Sequence, residues 1–238
     1  GQISYEAQMK IQTADVKVKG NINGTYQAGA ITGDIDANIA EETTIPVGAL
    51  SGNLVLKPAT KISAHIGQNN LEQLKFGLDA EYHRTGTPAL KVGVNIPNAT
   101  YDSTQGFSGD GSATLLKDCT LTGLTWTNGG SLTLKEGGTN LSAKIEQNNI
   151  KEIKGGILFA TTIKVTNQDV NIDGKIDGTY DGTTQKVSGQ IDAALKNEPT
   201  LTLPDGFSTL KLNNGTKLRA TIGDTELQEA KFDLKADY

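Results

Sequence analysis

Cysteine occurs once, at Cys119, so the chain can build neither an intramolecular disulfide framework nor a cysteine-based zinc site. Histidine occurs twice, at His65 and His83, which leaves little material for imidazole catalysis. Aromatic residues make up 5% of the 238, with Trp126 the single tryptophan. Lys and Arg number 22 against 27 Asp and Glu, a net charge of −5 with no basic cluster, which excludes a nucleic-acid partner of the usual basic kind. No apolar run approaches the ~18 residues of a membrane helix, so no transmembrane segment is expected. No leader-type apolar stretch stands near residue 1 either.

Glycine is plentiful instead. Its 28 residues, added to the 36% apolar fraction, bring the composition into the globular range. The chain also resembles itself. Lys61–Leu71 (KISAHIGQNNL) returns as Asn140–Ile150 (NLSAKIEQNNI) and, more loosely, as Lys217–Leu227 (KLRATIGDTEL). The alanines Ala64, Ala143 and Ala220 are 79 and 77 residues apart. A second block, Ile31–Ala37, returns as Val187–Ala193, with a weaker copy at Phe107–Ala113. Two blocks that keep one period in one order predict three tandem units of about 78 residues, at 1–82, 83–161 and 162–238. Residues 1–26 align without a gap on 155–180 with ten identities, among them Ile22/Ile176, Gly24/Gly178 and Tyr26/Tyr180.

Period-two alternation identifies the elements. Val16, Val18, Gly20, Ile22, Gly24 and Tyr26 share one parity, while Lys17, Lys19, Asn21, Asn23 and Thr25 share the other. Ile31, Ile35, Ala37 and Ile39 continue the inward pattern, and Val170, Ile172, Ile176 and Tyr180 repeat it. One apolar and one polar face means half-buried antiparallel strands. Asn213-Asn214-Gly215 and Glu136-Gly137-Gly138 supply the positive-φ residues of tight turns, and Pro58 stands at the matching place. The segments 70–74 and 226–230 read as bulged strands or single helical turns. The expected fold is all-β: three antiparallel repeats in an elongated sandwich or meander array, with neighbouring repeats in contact.

No candidate chemistry recurs with the repeat. Asp169, Asp173, Asp177 and Asp181 recur every four residues, but a calcium loop's ligand spacing is absent, and Asp15, Lys19, Asn23 and Gln27 fill the same places earlier. They read as a solvated strand face. His65 occupies an outward position where the other copies carry Lys144 and Thr221, and no orienting partner is evident. Cys119 has no activating neighbour and reads as a small packed residue. Tyr26, Tyr101 and Tyr180 stand once per unit at strand ends and read as structural plugs. Trp126 alone makes a thin carbohydrate platform. Four Asn-x-Ser/Thr sequons stand at Asn23, Asn98, Asn140 and Asn214, and count only if the source glycosylates secreted proteins.

The expected protein is therefore not an enzyme and needs no cofactor or metal. The reading is a secreted or cell-surface structural or adhesive β-repeat protein. Its expected partners are other surface proteins or further copies of itself, joined head to tail through terminal strands at Ile3, Tyr5, Phe232, Leu234 and Tyr238 as subunits of an extracellular filament. The alternatives are an envelope protein that binds or bridges lipid in a hydrophobic groove, and a bacteriophage tail or receptor-binding component.

Overall fold

The computed structural model describes residues 1–238 except 12, 48–50, 59, 85, 87, 103, 126–127, 166–167 and 203–207, and only the backbone at 9 and 11. Trp126 thus lies outside the described residues. Strand accounts for 76% of the chain, and no α-helix occurs among the described residues. The strands form a large antiparallel sheet of meander type and a small three-stranded one. In chain order they begin β1 (Gln2–Ile11), β2 (Ala14–Gln27), β3 (Ala30–Ile39), β4 (Thr43–Val47) and β5 (Gly52–Leu56). Next come β6 (Lys61–Gly67), β7 (Asn70–Arg84), β8 (Leu90–Asp102), β9 (Gly106–Leu115) and β10 (Cys119–Thr122). Then follow β11 (Ser131–Leu134), β12 (Asn140–Glu146), β13 (Asn149–Val165), β14 (Gln168–Asp181) and β15 (Lys186–Leu195). The series closes with β16 (Thr200–Thr202), β17 (Thr209–Leu212), β18 (Lys217–Gly223), β19 (Glu226–Asp233) and β20 (Ala236–Asp237).

Two compact units divide the chain: Gly1–Thr114 with Ser142–Glu152, and Leu115–Leu141 with Ile153–Tyr238. In the first, β1 lies along β2, β2 pairs with β3, β3 with β6, β6 with β7 and β7 with β8, all antiparallel. The 15-residue strand β7 does double duty: residues 70–77 pair with β6, and residues 80–84 pair with β5. That sharing lays β4 and β5 against one end of the β2–β3 hairpin. Val16, Val18 and Ile39 meet Ile45, Leu56 and Ala80 there in a dry cluster bordered by Tyr5, Ala14, Leu54 and Leu78. Each larger aliphatic in it contributes roughly 1.5–3 kcal/mol by leaving water.

The cover ends partway along the hairpin. Ile22, Tyr26 and Ile31 have the parity of Val16 and Val18, yet they are exposed, Tyr26 to 75%. The apolar face that alternation predicts is therefore core at one end and bare at the other. Tyr26 and Tyr101 are exposed and Tyr180 is half-buried, so the first two plug no interior.

In the second unit, β10 pairs with β11 and β11 with β13, while β14, β15, β18 and β19 pair in succession. β17 lies between β16 and β20 in the small sheet. The registers match those of the first unit. Ile176 faces Ile191 and Gly178 faces Gly189 in β14–β15, as Ile22 faces Ile35 and Gly24 faces Gly33 in β2–β3. Segments 70–74 and 226–230 are strands with a register shift against their partners, between His65 and Ile66 and between Thr221 and Ile222. The additional residue is Glu72 in one and Gln228 in the other. Gly67 and Gly223 make room for it: a Cβ on Gly67 would overlap the Glu72 carboxylate, and one on Gly223 would crowd the Gln228 side chain.

Two hydrogen-bonded devices occur at three places each. Gln68-Asn69, Gln147-Asn148 and Asp224-Thr225 are turn pairs in which both residues have positive φ, at 48/70°, 50/63° and 53/71°. The second residue of each pair donates its amide to the carbonyl of Ile31, Phe107 or Val187, at 3.0, 2.8 and 2.7 Å. Its side-chain oxygen accepts the amide of that same residue, at 2.8, 2.9 and 3.1 Å. The second device centres on threonine. Thr60, Thr139 and Thr216 donate their hydroxyls to the carbonyls of Asp79, Leu158 and Lys235 and accept the amides of the same residues. The carbonyls of those threonines accept the amides of Ile39, Leu115 and Leu195, at 3.1, 3.0 and 2.9 Å. All three of these donors are buried.

Candidate functional site

The side chains able to do chemistry are dispersed. His65 sits on β6 opposite Asp34 of β3, and its Nδ1 lies 2.7 Å from Asp34 Oδ1, with Glu72 at 3.7 Å on the other nitrogen. The cross-strand partner missing from the linear sequence is therefore present. Ser63, two residues along the same face, donates to Asp36 at 2.6 Å, so its proton is directed to a carboxylate and not to the imidazole. This pairing orients His65 but supplies no activated nucleophile. Cys119 is buried on β10, opposite Leu134, as expected of a packed thiol.

Charge concentrates around Glu81 on β7. Its carboxylate lies 2.8 Å from Lys91, 2.7 Å from His83 and 3.3 Å from Lys57. Hydrogen bonds from Lys91 and His83, with a smaller contribution from Lys57, pull its pKa down to about 2 against the cost of partial burial. Lys57 also meets Glu42 at 2.7 Å, chiefly through which its own pKa is raised. A carboxylate held this firmly ionised is a poor general acid or base near neutrality. It ties β5, β7 and β8 together instead.

Three of the four aspartates of β14 have their carboxylates engaged by protein groups. Asp173 pairs with Lys196 at 3.3 Å and Asp177 with Lys175 at 2.8 Å. Asp181 accepts the amides of Thr183 and Thr184, which lower its pKa. Among the described residues, no three His, Cys, Asp or Glu side chains are grouped to hold a metal ion. No helix among the described residues is long and apolar enough to cross a membrane. The sequon asparagines Asn23, Asn98, Asn140 and Asn214 are all exposed.

What remains is apolar surface. Across six strands of the first unit, Ile3, Ile22, Ile35, Ala64, Leu74 and Tyr101 are successive register partners and share one face. Ile3 (65% exposed), Ile22 and Tyr101 project from that row into solvent. Tyr5, two residues from Ile3, is half-buried against the core cluster. Ile3 thus lies on the surface, whereas Tyr5 packs against the core. In the second unit every residue of β19 is exposed, and Phe232 (74%) faces Leu218. Leu234 lies 61% exposed beyond it, and Tyr238 is 89% exposed while its hydroxyl donates to Ser208 at 3.1 Å. The linear sequence reveals the parity of these rows but not which stretch of each lies under cover. No protein-family model, no curated protein and no solved structure matches this chain, so its surfaces and side chains alone carry the functional reading.

Proposed function

We propose that this chain is a non-enzymatic structural or adhesive protein of the extracellular space or cell surface. In this reading it consists of three tandem β-repeats, 1–82, 83–161 and 162–238, and meets other copies or other surface proteins through exposed apolar strand faces. The observation that carries it is a contrast. The turn pairs and threonine bridges occur three times in the same chain order, whereas His65, Cys119 and the Glu81 cluster occur once each. Recurrence is spent on architecture, which is what a stacking or contact protein requires. The exposed row through Ile3, Ile22 and Tyr101 and the bare strand β19 supply contact surface of the kind that marks interaction sites.

Sedimentation velocity at rising concentration, with electron microscopy of the same samples, tests the reading. The unaltered chain is expected to associate, and a variant carrying Ile3→Ser, Phe232→Ser and Leu234→Ser to remain monomeric with an unchanged β-type circular dichroism spectrum. An unaltered chain that stays monomeric at millimolar concentration removes self-association from the reading.

A further inference from the structure

An open trough of about 850 Å³ lies on the charged face of the second unit's sheet, at β14, β15, β18 and β19. Its origin is visible in two register rows. In the first, Lys175, Asp192, Arg219 and Lys231 stand side by side across the four strands. The next row on that face is Asp173, Ala194, Lys217 and Asp233. Ala194 is the one short side chain among eight, and the face is hollow over it. Leu158 joins Ala194 in the lining, and the alkyl stems of the lysines complete a largely carbon wall.

Five cations line the trough, namely Lys175, Lys196, Lys217, Arg219 and Lys231, against three carboxylates, Asp173, Asp192 and Asp233. Two of those carboxylates are engaged, Asp192 by Arg219 at 2.6 Å and Asp173 by Lys196 at 3.3 Å. Lys175 and Lys231 turn to Asp177 and Glu229, which are not part of the lining. Lys217 makes no ion pair among the described residues, although it stands beside Ala194 in the register. The fold does not require the hollow. At the same register position in β3–β6 of the first unit, Asn38 faces Lys61 where Ala194 faces Lys217.

We infer that this trough binds a single-chain amphiphile with an anionic head, the head on Lys217 and the chain over Ala194 and Leu158. Its volume lies within the range of small-molecule sites. The other four lining cations are already ion-paired, so the unpaired ammonium of Lys217, although Asp233 is its register partner, is the group that favours an anionic head there. The carbon wall favours an apolar body behind the charge over a bare anion or a sulfated glycan.

Isothermal titration of the full chain with hexadecanoate below its micelle concentration tests this, with hexadecanol, acetate and heparin as comparison probes. Saturable one-to-one binding of hexadecanoate is expected, at least about tenfold tighter than that of any comparison probe. Lys217→Ala is expected to weaken it about tenfold through loss of the charge-assisted contact. Ala194→Gln, which fills the hollow with a residue close to the Asn38 of the sister position, is expected to abolish it without changing the circular dichroism spectrum. Lys61→Ala serves as the control and leaves binding unchanged. Equal affinity for acetate or heparin, absence of hexadecanoate binding, or binding indifferent to both Lys217→Ala and Ala194→Gln overturns the proposal.

Discussion

At the scale of single residues, the threonine bridges show how one hydroxyl can fix two strands. Thr60 is buried, and replacing it by the isosteric Val would leave the Asp79 amide without its acceptor, at a cost of roughly 1–3 kcal/mol. Thr139 is half-buried, and the partner of Thr216, Lys235, is exposed, so water substitutes progressively better. Urea unfolding of the three Thr→Val variants should therefore rank them Thr60, Thr139, Thr216 in order of decreasing loss. Equal losses would mean that burial does not set the worth of the bridge. Glu81 makes a second prediction. Its folded pKa of about 2 lies below the ordinary glutamate value of 4.5, so its contribution is complete above pH ~4.5 and disappears as pH falls towards 2. With allowance for solvent screening it amounts to about 1–2 kcal/mol at neutral pH. Glu81→Gln should be less stable than the parent at pH 7 and converge with it near pH 2, as followed by thermal melts. A gap that persists at pH 2 would place the effect in packing.

At the scale of elements, the turn pairs explain a limit of sequence reading. Gly137 and Gly215 announce their turns and do adopt positive φ, at 76° and 90°. Gln68-Asn69, Gln147-Asn148 and Asp224-Thr225 contain no glycine, so the linear sequence carries no glycine turn signal at them. Their left-handed backbone is sustained by the side-chain oxygen that accepts a neighbouring strand's amide. Thr225 does this at φ 71°, where a β-branched residue is strained. Thr225→Asn should keep the acceptor, relieve the strain and stabilise the chain by about 1 kcal/mol, whereas Thr225→Val should destabilise it. A neutral Asn variant would show that Thr225 is not strained. Strand parity was legible throughout, from Val16 to Tyr180. The cover over Val16 and Val18 and its absence over Ile22 and Tyr26 were not, because they depend on where β7 changes partners from β6 to β5. Cross-strand pairs such as Asp34–His65 were hidden for the same reason: they join residues 31 positions apart through a register that no local pattern encodes.

At the scale of the whole molecule, the turn pairs and threonine bridges each occur at three places, and the proposed three-repeat reading takes them as the fixed points of one framework. The exposed rows, the Glu81 cluster and the trough over Ala194 each belong to one place in the chain, while the turn pairs and threonine bridges do not. Native-state amide hydrogen exchange reads that framework directly, through the buried amides of Ile39, Leu115 and Leu195, which donate to Thr60, Thr139 and Thr216. The account predicts slow exchange at all three, well below the rate of the exposed strand β19. Protection at Ile39 alone, with Leu115 and Leu195 exchanging as freely as β19, would contradict it.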